Sequence, residues 1–101
     1  MRDLNFRIDR QTLSKDGDMS GLVRGTSGYL RCVFSFDPSW DGYQKIASFV
    51  AKGVDEAVVI EDGMAMVPDD IAKAGRIELC VLGVKGKEIV KTSTVELRQG
   101  G

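Results

Sequence analysis

Period-two alternation of apolar and polar residues is the feature that most constrains what this chain can fold into. Leu4, Phe6 and Ile8 alternate with Asp3, Asn5, Arg7 and Asp9. Successive side chains of a strand point to opposite faces, so this pattern reads as a half-buried strand. Leu30, Cys32, Phe34 and Phe36 form the longest such series, with Arg31 and Ser35 on the other side. Val33 interrupts the polar side, so this strand is expected to be covered on both faces and to lie centrally in its sheet.

Further strands are expected over 45–50, 57–60 and 64–67. Asp62-Gly63 between the last two predicts a hairpin, because a type I′ turn requires φ > 0 at both central residues. Ile77, Leu79 and Val81 alternate with Glu78 and Cys80; Gly83 to Lys87 then reads as a turn, and Ile89 to Leu97 as the last strand. Asp37-Pro38-Ser39-Trp40-Asp41-Gly42 has the residues of a turn: proline fixes φ, aspartate caps backbone groups and glycine permits φ > 0. The one helical piece is Pro68 to Gly75, with proline at its first position, acidic residues behind it and glycine closing it.

Short strands separated by turn signals at roughly 8–12-residue intervals leave no room for crossover helices. The reading is an all-β fold: an immunoglobulin-like antiparallel β-sandwich of about seven or eight strands, with one short helical turn near 68–74. At 101 residues and 43% hydrophobic, the chain suffices for one core, so residues 1–101 are expected to form a single domain. Gly100-Gly101 reads as a frayed end or the start of a connection.

Several function classes find no support in the residues. The 14 basic and 15 acidic side chains are spread along the chain, without the basic stripe that displaces counterions from phosphates. Lys85, Lys87 and Lys91 come closest, and Glu88 interrupts them. No nucleic-acid partner is therefore expected. The N-terminus lacks the unbroken apolar stretch of a signal peptide and no segment has the length of a membrane span, so synthesis in the cytoplasm and no membrane partner are expected.

The absence of histidine removes the usual general base and the commonest transition-metal ligand. Gly83-Val84-Lys85-Gly86-Lys87 lacks the span and following helix of a phosphate loop. Asp37 with Asp41, Asp69 with Asp70, and Asp16 with Asp18 supply two carboxylates each, where a calcium loop needs oxygens at several defined positions and six to eight ligands in total, so they read as turn and cap residues. Cys32 and Cys80 fall on opposite sides of their strand patterns and read as free thiols. No catalytic residue, cofactor or metal is expected, and the chain reads as a non-enzyme.

Trp40 with Tyr43 admits two readings. Exposed beside the Asp41 carboxylate, the aromatics would form a platform for a sugar ring, which makes Trp40, Asp41 and Tyr43 the candidate residues of a carbohydrate-binding module. Alternatively Trp40 plugs the end of the sandwich and buries its large apolar area there.

The run from Cys32 to Phe49, with its alternating strand, Trp40-Asp41-Gly42 turn and Lys45-Ile46-Ala47-Ser48-Phe49 continuation, resembles small β-sandwich domains of bacterial prophages. Val67-Pro68, Ala74-Gly75-Arg76-Ile77-Glu78-Leu79, Gly83 and Thr92-Ser93-Thr94 extend the likeness, which covers residues 29–97. Such domains accompany phage tail, baseplate or fibre proteins. The resemblance implies a virion-associated structural or protein-interaction module, made in the bacterial cytoplasm and then part of the virion. Its partners would be other virion proteins or a second copy of itself, and no catalytic residue is implied.

Overall fold

A computed structural model describes residues 1–101. Nine strands form two packed sheets: β1 (Arg2–Asp9), β2 (Thr12–Lys15), β3 (Leu30–Phe36), β4 (Gln44–Ala51), β5 (Val54–Val59), β6 (Met64–Met66), β7 (Arg76–Lys85), β8 (Glu88–Lys91) and β9 (Val95–Arg98). One helical turn, α1 (Asp69–Ala72), precedes β7. The first sheet has the order β2-β1-β3-β6 and the second β5-β4-β7-β8, with β9 also paired to β7. The expected all-β sandwich is observed.

The core lies where alternation places it. Leu4, Phe6 and Ile8 of β1 and Leu30, Cys32 and Phe34 of β3 face Ala47, Phe49, Ile77, Leu79, Val81 and Leu97 of the second sheet, and all are buried. β3 does lie inside its sheet, between β1 and β6. Its pairing with β1 is parallel, Leu4 opposite Cys32 and Phe6 opposite Phe34, and the rings of Phe6 and Phe34 stack with centroids 5.4 Å apart. A parallel pair needs a return connection. Residues 16–29 supply it, after β1 and β2 have formed a hairpin through Arg10 and Gln11.

Four local expectations change in the folded chain. At the predicted hairpin, Asp62 (φ 52°) and Gly63 (φ 74°) do make the tight turn, and Glu61 and Met64 exchange backbone bonds of 3.0 and 2.9 Å. Pairing stops there, because β5 stays with β4 while β6 joins β3 in the other sheet. The turn is a corner between sheets, and it lets Ile60, Ala65 and Val67 all enter the core.

Gly83 is no turn residue: β7 runs through it to Lys85, and the chain reverses at Gly86 and Lys87. The last strand divides into β8 and β9, which lie end to end along one side of β7. Buried Thr92 makes the break, its N–H donating to the Val81 carbonyl and its Oγ1 accepting from the Val81 N–H, both at 2.9 Å. Finally, Pro68 is the residue before α1 rather than its first residue, with extended geometry (φ −60°, ψ 146°), which shortens the helix to one turn that buries Ile71 and Ala72.

Candidate functional site

The 37–43 segment is knotted to the β1–β2 turn. Asp37 stands before a short 3-10 turn, Pro38–Trp40, and its Oδ1 accepts from the Ser39 N–H at 2.7 Å. Its Oδ2 accepts from the backbone N–H of Arg10. These bonds, that from Ser39 first, hold the Asp37 carboxyl below the usual carboxylate range. Arg10 is in the left-handed region (φ 56°), which aims its carbonyl back at the indole; Trp40 Nε1 donates to that carbonyl at 2.7 Å.

Trp40 is only 2% exposed. Phe36 lies 5.4 Å from it by ring centroids and Tyr43 6.0 Å. Gly83 passes beneath the indole so closely that an added Cβ would lie 2.6 Å from Trp40 Cζ3. The ring therefore closes the end of the sandwich, and its one polar atom is satisfied. Tyr43 stays half-buried; its hydroxyl donates to Glu88, which raises its pKa, and Lys85 Nζ sits 5.3 Å from its ring centroid. Asp41 is exposed.

Beside this closure lies a shallow cavity of about 250 Å³, lined by Arg10, Gln11, Ser39, Trp40, Tyr43 and Val90. Of the three candidate sugar-binding residues, the structure brings Trp40 and Tyr43 together and leaves Asp41 outside the cavity. A flat exposed platform is not formed, because the face of Trp40 that would stack on a sugar is used inside the core.

The other candidate groups separate. Cys32 is fully buried in the first sheet's inner face, and burial pushes its thiol up to about 12. Cys80 is partly exposed on β7, and both are free thiols. Asp18 accepts from the Ser20 N–H at 2.9 Å, and Asp69 from the Gly28 N–H at 3.3 Å, so both act as loop caps. No group of three or more His, Cys, Asp or Glu side chains is arranged to hold a metal ion. No helix is long and apolar enough to cross a membrane.

The two outer sheet faces differ in kind. On the first sheet Asp3, Asn5, Arg7 and Asp9 stand beside Arg31 and Ser35, and Arg31 Nε reaches Asp3 Oδ1 at 2.8 Å. That part of the face is polar, and Val33, Met64 and Met66 stand half-buried on the same side beside it. On the second sheet the pairing register places Val59, Ile46 and Leu82 in one row, with Lys91 at its end, and Gln44, Val84 and Ile89 in the next. Ala57, Ser48 and Cys80 form the row on the other side. Ile46, Leu82 and Val84 are half-buried by each other, while Val59 and Ile89 are exposed.

This apolar outer face escaped the sequence reading. The signal was the run Leu79-Cys80-Val81-Leu82-Gly83-Val84, which is apolar on both sides of the strand and has no covering layer on one of them. Comparison with protein-family models, curated proteins and solved structures found no match for this chain.

Proposed function

We propose that this chain is a non-enzymatic structural and protein-interaction module, of the virion-associated kind found with phage tail, baseplate or fibre proteins. One observation carries the interaction part: an apolar outer face on the five-stranded sheet, where Val59, Ile46, Leu82, Val84 and Ile89 lie in neighbouring rows. Contiguous apolar surface on a small domain marks a place where another surface sits. The virion part rests on the likeness of residues 29–97, with Trp40-Asp41-Gly42 at its centre. In this reading the partners are virion proteins or a second copy, without nucleic acid or membrane, and the chain passes from the bacterial cytoplasm into the particle.

Mass spectrometry of particles purified after prophage induction in the source strain tests the virion part. The chain should be recovered in stoichiometric amounts with the tail fraction. Its absence from intact particles would refute that assignment. Sugar binding has less behind it, because Trp40 is turned inward. Its test is indole fluorescence: a blue-shifted emission that ignores added glycans excludes a site at Trp40, Asp41 and Tyr43.

A further inference from the structure

We propose that the free edge of β5 is a strand-addition site for a cationic, extended segment of another polypeptide, which pairs antiparallel with β5 and sets a basic side chain opposite Glu56. This names the kind of partner for the protein-interaction reading and rests on it.

The two flanks of the sandwich differ. On one, β2 closes over the junction of β8 and β9: the Ser93 N–H donates to the Gln11 carbonyl at 2.8 Å, Gln11 Nε2 to the Lys91 carbonyl at 3.0 Å, and the Leu13 N–H to Ser93 Oγ at 3.1 Å. On the other, β5 and β6 end their sheets and are bonded through the Glu61–Met64 corner. Between them runs a groove of about 340 Å³, whose apolar lining is Val58, Val59, Met64, Ala65 and Met66.

The register tells which backbone groups of β5 are free. The Ile60 N–H donates to the Lys45 carbonyl at 2.8 Å, in phase with the β4–β5 ladder. Along an antiparallel strand, the residues bonded to a given neighbour alternate. Val54, Glu56 and Val58 therefore turn their N–H and C=O groups towards β4, while Asp55, Ala57 and Val59 turn theirs away from it. All three of the latter are exposed. Such a row is a template for one more strand, and every pair already in this sheet is antiparallel.

Glu56 decides which strand is accepted. It shares the inner face with Phe49, its register partner, and its Oε2 is buried without a hydrogen-bond partner. A buried charge is costly until something pairs with it. An added strand bonds through Asp55, Ala57 and Val59, so the residue opposite Glu56 occupies a non-hydrogen-bonded position, where side chains approach most closely. Lys or Arg there meets the carboxylate, whereas an apolar residue leaves it unpaired.

The surroundings favour the same charge. From Gly53 to Ala72 there are six acidic side chains and no Lys or Arg, although the whole chain is nearly balanced at 14 basic and 15 acidic. Asp55, Glu56, Glu61 and Asp62 form no ion pair within the chain. Arg31, the cation that lines the groove, is held by Asp3 at 2.8 Å. The β5 strand of a second copy does not supply what is missing. In any register that keeps the faces aligned, Glu56 would meet Val54, Glu56, Val58 or Ile60.

The probe is a blocked peptide, Lys-Thr-Val-Val-Thr-Arg-Thr, which sets Arg opposite Glu56 and Lys opposite Glu61. Titrated into the isotope-labelled whole chain, it should bind saturably and less tightly as salt is added. The amides of Asp55, Ala57 and Val59 should shift and become slow to exchange with solvent. The same peptide with Glu in place of Arg and Lys should not bind. Glu56→Gln should weaken binding about tenfold. Ala57→Pro should abolish it, since proline is tolerated on an edge strand where the N–H faces solvent but blocks an added strand. Methylating the backbone nitrogen of the peptide's threonine opposite Ala57 should also abolish binding, and this arm decides if Ala57→Pro fails to fold.

No binding at millimolar peptide overturns the proposal. So does equal binding of the acidic peptide, indifference to backbone methylation, or shifts confined to residues away from β5 and β6. The particle assay is independent. A chain present in particles that binds no cationic strand loses only this site, and one that binds the peptide but is missing from particles loses only the virion assignment.

Discussion

Replacing Gly83 with alanine tests whether the Trp40 closure is as rigid as the geometry implies. The added methyl would lie 2.6 Å from Trp40 Cζ3, 3.1 Å from Cε3 and 3.2 Å from Tyr43 Cδ1. Carbon atoms pack at about 3.5–4.0 Å, so the ring must move or the strand must. The ring has little freedom, because its Nε1 is tied to the Arg10 carbonyl at 2.7 Å and Phe36 packs beside it. Overpacking of this sort costs about 1–3 kcal/mol. Gly→Ala inside a strand ordinarily returns about 0.5–1 kcal/mol. The net expectation is a loss of about 1–2 kcal/mol, or roughly 4–8 °C in Tm for each kcal/mol at this chain length.

The decisive form is a double-mutant cycle with Trp40→Leu, followed by urea denaturation and far-ultraviolet circular dichroism. With the indole gone, Gly83→Ala should become neutral or stabilising. Equal costs in both backgrounds would refute the steric argument. A stabilising Gly83→Ala in the parent chain would refute it as well.

Three further outcomes are expected. The Asp37 carboxyl is held below its usual value of 3.8, so its contribution is present at neutral pH and lost as pH falls through the depressed pKa; Asp37→Asn should lower the urea midpoint at pH 7 and flatten its decline in acid. Native protein should react with one equivalent of a thiol reagent, through Cys80, and with two once unfolded; two fast-reacting native thiols would contradict the burial of Cys32. Gly63→Ala should cost about 1–2 kcal/mol in the same urea assay, because an L-residue is forced into the left-handed region; Gly63 has φ +74° and its added Cβ would lie 3.1 Å from the Phe34 carbonyl oxygen.

Strands were legible where one face meets the core and the other meets water. β1 and the first half of β7 show this, because Asp3 to Asp9 and Arg76 to Val81 alternate cleanly. The chain's large-scale routing was not. Nothing near Leu4 or Cys32 says that these two strands run parallel, since that depends on how residues 16–29 return. The Asp62-Gly63 turn was readable from local backbone preference, but local preference does not say which sheet each arm joins.

Gly83 misled for the same reason: glycine marks turns and also marks close approaches, and only the position of Trp40 distinguishes them. At the candidate site, inward closure by Trp40 was one of two readings the residues allowed, and the carbonyl that satisfies its N–H comes from Arg10, thirty positions away in sequence. The apolar face on β4, β5 and β7 was missed because alternation within a single strand does not show which outward residues become neighbours. That requires the register.

Gln99 and Gly100, at the glycine pair that reads as a frayed end or the start of a connection, are stitched on three sides. Gln99 donates its backbone N–H to the Gly75 carbonyl at 2.7 Å, and its side-chain amide to the carbonyls of Ala72 at 3.0 Å and Ala74 at 2.9 Å. Gly100 donates to Leu22 at 2.8 Å and accepts from Arg24 at 2.9 Å. The 16–29 return loop, α1 and the start of β7 thus share one fastening. A chain truncated after Leu97 lacks this fastening and keeps only the direct loop-to-helix bonds, such as Gly25 N–H to the Ala72 carbonyl at 2.9 Å, so it should be more protease-sensitive around Leu22 than the whole chain.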